Sequence, residues 1–209
     1  MSLFSLPLML NAQSVDEMLQ KVSAAIEARQ QGQAMSYFRQ TISLNIDRTE
    51  MYYWTNIDKS SEISVKLANE LAIAFRKKRN YDKAYLFYKE LLQKAPNNVA
   101  YLESCAEMQV CRGQEKDALR MYEKILQLEA DNLAANIFLG NYYYLTAEQE
   151  KKKLETDYKK LSSPTKMQYA RYRDGLSKLF TTRYEKARNS LQKVILRFPS
   201  TEAQKTLDK

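Results

Sequence analysis

The sequence predicts an all-α fold built from stacked helical hairpins, and three observations carry that expectation. The 209 residues include only four glycines and four prolines, and so few breakers imply helices joined by short turns. No stretch sustains the period-two alternation of a half-buried strand. The stretch Asn80–Asn98, "NYDKAYLFYKELLQKAPNN", returns 34 residues later as "EKDALRMYEKILQLEADN" at 115–132. Self-similarity at such a period is the signature of a repeat array.

In that register Ala84 pairs with Ala118, Tyr88 with Tyr122, Leu91 with Ile125 and Pro96 with Ala130. One more period reaches Pro164, and the next reaches Phe198 beside Pro199. The closing stretch "YEKARNSLQKVILRFPS" carries Tyr184, Ala187, Leu191 and Val194 in the same order after a one-residue slip. Four units follow, at about 65–98, 99–132, 133–166 and 167–201, in an array spanning 61–201. In the first unit Leu67, Leu71, Ala74 and Phe75 line one helix face, and Ala84, Phe87, Tyr88 and Leu91 line the second. Asn80 and Asp82 supply turn and cap chemistry between them, and Pro96 ends the pair. Small Ala72 and Ala84 let the two helices approach, and Tyr88 fills the groove to the next unit. One such pair cannot bury its apolar face alone, so the units must stack.

This pattern resembles the tetratricopeptide repeat. The matching positions in the first unit are Ala72, Phe75, Tyr81, Ala84, Tyr88 and Pro96; in the second they are Ala106, Ala118, Tyr122 and Ala130, with Gln109 a departure. Gly140 and Tyr143 match in the third, and Gly175, Tyr184 and Ala187 in the fourth. The resemblance covers about two thirds of the chain. It implies a right-handed α-α superhelix and a protein-interaction scaffold whose first helices line a concave groove for a peptide or partner protein. The face it implies consists of Lys66, Asn69, Ile73, Arg76, Lys77, Glu103, Glu107, Val110, Cys111, Ile137, Asn141 and Tyr144. A chaperone-adaptor type of carboxylate clamp is not expected. Its Lys and Asn positions hold Asn69 and Ile73 in one unit, and Glu103 and Glu107 in the next.

The third unit breaks the pattern. "AEQEKKKLETDYKKL" places Lys152 where a small residue belongs and Lys159 where an apolar one belongs, and Ala147 replaces the turn glycine. These are strong helix formers, so one long helix over 134–161 is expected, stopped by Ser162-Ser163-Pro164; the alternative is an ordinary turn near Ala147 and a very polar second helix. A further helix follows with Met167, Ala170, Leu176, Leu179 and Phe180 inward, and Thr181-Thr182 as a turn.

Residues 14–60 read as a helical pair and a linker. Val15–Gln30 is a helix with Met18, Leu19, Val22 and Ile26 inward and Ser14 as its cap. Gln31-Gly32 is a turn, and Met35–Leu44 is a second helix carrying Tyr37, Phe38, Ile42 and Leu44. Residues 45–60 show no clear pattern, with Asp58 or Ser60 as a cap for the helix that follows. Residues 1–13 resemble the end of a secretory signal lacking its basic region, which implies periplasmic or extracellular export. The other reading is a disordered apolar N-terminus on a cytoplasmic chain. No segment reaches the length and apolarity of a membrane span.

Chemistry is thin. There is no histidine, which removes the commonest general base and metal ligand. Cys105 and Cys111 point about 240° apart on one helix, so they do not form a disulfide within it. No phosphate loop, nucleophile elbow or calcium loop occurs. No catalytic residue, cofactor or metal is therefore expected. The net charge of +8 is concentrated in 148–190, where 12 Lys/Arg face 6 Asp/Glu. Tyr158, Tyr169 and Tyr172 interleave with those cations, so a nucleic-acid binder is the alternative function.

Overall fold

The computed structural model describes residues 6–199 and 201–208. Among them every regular element is helical. The helices are α1 (Leu6–Glu27), α2 (Gln31–Leu44), α3 (Ile46–Asn56), α4 (Glu62–Lys77), α5 (Tyr81–Lys94) and α6 (Val99–Cys111). Then come α7 (Glu115–Leu128), α8 (Leu133–Lys159), α9 (Lys166–Leu179), a π-helical segment (Phe180–Tyr184), α10 (Glu185–Arg197) and α11 (Thr201–Leu207). The chain divides into two compact units, Met1–Gln114 and Glu115–Lys209.

In the first unit α4 packs on α5, and α5 on α6. The core holds Leu67, Leu71, Ala72, Phe75, Ala84, Phe87, Tyr88 and Leu91, all buried. Phe75 and Phe87 stack with centroids 5.8 Å apart. Asn80 caps α5 by accepting from the Lys83 amide at 3.2 Å, and Asn98 caps α6 through Tyr101 at 3.1 Å. Each such cap contributes about 1 kcal/mol.

A turn of one design closes α1, α4 and α6. Arg29, Arg79 and Gly113 take φ of 58°, 60° and 72°. The next amide in each case, that of Gln30, Asn80 and Gln114, donates to the carbonyl five residues back at 2.8, 2.9 and 2.8 Å. This is the Schellman closure, and it needs a left-handed residue. Helices α2, α5 and α7 that follow these turns are each 14 residues long. Ala34, Phe38 and Thr41 of α2 are buried as Ala84, Tyr88 and Leu91 of α5 are. So α1 and α2, which pack together, form a further hairpin of the repeat type, 50 residues ahead of α4–α5 and out of phase with it. The difference is α3. Asn45 ends α2 and caps α3 by accepting from the Arg48 amide at 2.9 Å. Tyr53 of α3 packs edge-on against Phe87 and donates to Glu90 at 2.7 Å.

Several expectations for this region need correction. Helix α1 begins at Leu6, so Ser14 lies within it rather than at its cap. Of the leader-like residues 1–13, the first five lie outside the described residues. The turn falls at 28–30, not at Gln31-Gly32, because the left-handed residue is Arg29. Leu44 is exposed at the end of α2, and residues 46–56 are helical.

In the second unit α8 is one helix of 27 residues, capped by Asn132. It packs on α7 and α10, and also on α9 and the π segment. The spans 133–166 and 167–201 are therefore not two separate hairpins. No turn forms at Thr181-Thr182, since the chain runs helically from Lys166 through the π segment to Arg197. Ala187 follows Ala118 by 69 residues, one more than two periods. The π turn holds the extra residue that an α turn does not. Helix α10 fills the second-helix role opposite the start of α8, with Ala187, Leu191 and Val194 buried. Lys193 and Arg197 tie it to the carbonyls of Ala130 and Asp131 at 2.8 and 2.9 Å. What remains, roughly 147–183, is an arm inserted between the two halves of a hairpin. Met167 and Ala170 of α9 and Phe180 of the π segment are exposed, whereas Tyr172, Gly175 and Leu176 are half-buried and Leu179 is buried.

Candidate partner-binding surfaces

The face implied for the first unit is present on α4 and α6. Arg76 of α4 and Glu107 of α6 form an ion pair at 2.7 Å, each side chain close to half exposed. Lys66 donates to Gln31 of α2 at 2.7 Å, and Arg39 of α2 pairs with Glu70 at 2.7 Å. Polar groups on this face thus link neighbouring helices. Exposed pairs of this kind contribute about 0–1 kcal/mol. Asn69, Ile73, Glu103 and Val110 are half-buried, and Lys77 and Cys111 are exposed. Burial pushes the Cys105 thiol up to about 12, which keeps it protonated and inert.

Gln109, the departure from the repeat pattern, is buried and accepts from Arg112 at 2.6 Å. Arg112 also pairs with Asp82 at 2.6 Å and lies 4.6 Å over the Tyr85 ring. A polar side chain at a core position is tolerated here because the guanidinium satisfies it.

In the second unit Tyr144 opens into a cleft of about 610 Å³. Glu148, Lys151, Leu176, Phe180, Tyr184 and Arg188 also line it. The Tyr144 and Tyr184 rings meet edge-on at 6.2 Å. The Tyr184 hydroxyl donates to the Glu148 carboxylate. Burial, then that bond, raises the Tyr184 hydroxyl well above its ordinary range. Phe180 stays 55 % exposed at the cleft because the π segment turns it out of the core. Ile137 and Asn141 of α8 are exposed but do not line the cleft. In the sequence Phe180 and Tyr184 read as packing residues. Only the one-residue slip in the repeat marks the place where their direction changes.

Among the described residues no cluster of three or more Cys, Asp or Glu side chains is placed to hold a metal ion. Nor is any helix among them long and apolar enough to cross a membrane.

The tetratricopeptide repeat family profile matches residues 70–98, which span the end of α4 and all of α5. A crystal structure from Bacteroides ovatus ATCC 8483, of a protein provisionally described as a protein binding protein, is 92% identical. That alignment covers 93% of this chain and 94% of the other, with a TM-score of 0.84. A thermophilic TPR protein from Thermus thermophilus aligns at 14% identity over 93% of this chain and 100% of its own, with a TM-score of 0.36. A TPR repeats protein from Bacteroides fragilis NCTC 9343 aligns at 13% identity over 93% and 96%, with a TM-score of 0.30. No curated protein matches the sequence significantly. The chain carries a tetratricopeptide repeat at residues 70–98.

Proposed function

We propose that this protein is a non-catalytic scaffold that binds a peptide or a partner protein through the Tyr144 cleft and through the first-helix face that carries Arg76 and Glu107. The observation that carries the reading is the cleft at Tyr144. It joins a large open cavity to an exposed Phe180, two tyrosine rings and charges of both signs. Aromatic anchors within a charged rim are what protein interfaces use for affinity and register. The Arg76–Glu107 face of the first unit offers a second set of charges. The description of the 92% identical Bacteroides ovatus protein agrees with this reading.

The test is affinity capture from the native host with quantitative mass spectrometry, comparing the parent with Tyr144→Ala/Phe180→Ser and with Arg76→Ala. A partner retained by the parent and lost by the cleft variant, at unchanged thermal unfolding, supports the scaffold. An unchanged partner set for both variants overturns the assignment of these surfaces. Export is proposed as well, from the leader-like residues 1–13. Cell fractionation of the native protein tests it, and recovery in the cytoplasm alone refutes it.

Nucleic-acid binding through 148–190 finds less support. Tyr158 and Tyr172 stack on each other at 4.5 Å and 12°. Each ring thus spends one face on the other, which reduces the platform left for bases.

A further inference from the structure

The arm ends in a tip whose chemistry differs from that of the cleft. Between Lys151 and Arg173 the chain carries eight Lys/Arg against two carboxylates, Glu155 and Asp157, a net of +6. Asp157 is paired with Lys160 at 3.3 Å. Lys152 and Lys159 share one side of α8, Lys153 and Lys160 share the next, and Lys166 opens α9. All five are exposed. The α8 cations therefore spread over two adjoining sides of the helix and past its end at Lys160 instead of tracking along one groove.

At the apex, apolar side chains stand open. Leu161 and Met167 flank the Ser162–Thr165 turn, with Met167 65 % and nearby Tyr169 49 % exposed. The tip is built, not loose. Thr165 and Gln168 form a reciprocal capping box. The Tyr158–Tyr172 stack joins the two helices just below. Inward positions on α9 are taken by Tyr172, Leu176 and Leu179, so the apex side chains have no core to enter.

The arm's share of α8, 147–159, extends about 20 Å at 1.5 Å per residue. That exceeds the ~10 Å screening length at 0.1 M salt. A surface meeting the tip senses the local charge and little of the charge elsewhere. Such a surface touches Leu161 and Met167 first and meets Lys159, Lys160 and Lys166 next to them, with Lys152 and Lys153 farther down the arm. Apolar side chains at the centre, a tyrosine beside them and snorkelling lysines outside are the arrangement of a peripheral contact with lipid.

We propose that the arm tip docks the protein onto the surface of an anionic lipid bilayer. Met167 and Leu161 enter the headgroup boundary, and the neighbouring lysines engage lipid phosphates. This contact is independent of the Tyr144 cleft, so each can fail without the other.

Flotation of the full chain with vesicles tests the proposal, using phosphatidylcholine alone and phosphatidylcholine mixed with phosphatidylglycerol. Binding to the mixed vesicles is expected to be at least about tenfold tighter than to the neutral ones. Lys152→Glu/Lys159→Glu/Lys166→Glu should abolish it. Leu161→Ser/Met167→Ser should weaken it by about tenfold, with circular dichroism unchanged. A Lys→Gln series at the same three positions replaces the charge reversal if that variant unfolds, and is expected to weaken binding in the same direction. Equal binding to both vesicle types overturns the proposal. So does full retention on anionic vesicles by the Leu161/Met167 variant, or preference for a single-stranded oligonucleotide over anionic vesicles, since either makes the tip a general polyanion site.

Discussion

The α4–α5 hairpin and the α8–α10 hairpin solve one packing problem with different residues. In α4–α5 the close approach uses alanines, Ala72 and Ala84, both fully buried, and the volume comes from stacked Phe75 and Phe87. In α8–α10 the position equivalent to Ala72 is Gly140, and Leu191 occupies the space beside it. A Cβ built on Gly140 would lie 2.7 Å from Leu191 Cδ2. The repeat constrains the summed volume at the helix crossing and leaves its division between partners free. The arm adds a third solution, where a Cβ built on Gly175 would lie 3.1 Å from the flexible end of Leu154.

The largest expected effect separates the core hairpin from the arm. Phe87→Ala removes a fully buried ring that contacts Phe75, Tyr53 and Trp54, and it should cost about 3–5 kcal/mol in denaturant unfolding. Tyr172→Ala in the arm, half-buried, should cost less than half as much. Equal losses would mean that the arm is as deeply integrated as the core.

Glycine substitutions sharpen the contrast. Gly140→Ala should destabilise by about 1–3 kcal/mol, because Leu191 is held in the core and cannot yield. Gly175→Ala should be close to neutral. Its contact is with a leucine end that can shift, and the gain in helix propensity of about 1 kcal/mol offsets the crowding. The Schellman turns predict a smaller pair of opposite sign. Gly113→Ala should cost about 1 kcal/mol, whereas Arg79→Gly should gain a similar amount by relieving a left-handed side chain. Thermal unfolding measures both.

The two regions also share a pH response. Tyr53, Tyr143 and Tyr184 each donate to a glutamate. Burial first, and then that bond, raises all three hydroxyls. A pKa raised on folding gives stability that is complete below the unfolded value of about 10 and is lost as pH rises beyond it. The unfolding midpoint should fall above about pH 10, and Tyr143→Phe should flatten part of that fall.

The α4–α5 hairpin was legible because Ala72, Ala84 and Tyr88 recur 34 residues later and Pro96 closes the unit. The α1–α2 hairpin was hidden for two physical reasons. Helix α3 moved it out of phase, and its left-handed turn position holds Arg29, which carries no glycine signal. The arm misled in the opposite way. Its length returns the chain nearly in phase, so Pro164 and Phe198 fell where a third and a fourth unit would end although no two separate hairpins form. Tyr144 was legible as a surface position from register alone. Phe180 was not, since only a π segment turns it outward.

The central claim is that 147–183 is an insertion within a hairpin that is complete without it. Replacing residues 146–183 with Arg-Gly-Gln, the turn that stands at 112–114, tests this most directly. The shortened chain should remain helical and unfold cooperatively, with a midpoint within a few degrees of the parent. A chain that loses cooperative unfolding would contradict the claim and make the arm part of the core that holds α8 against α10.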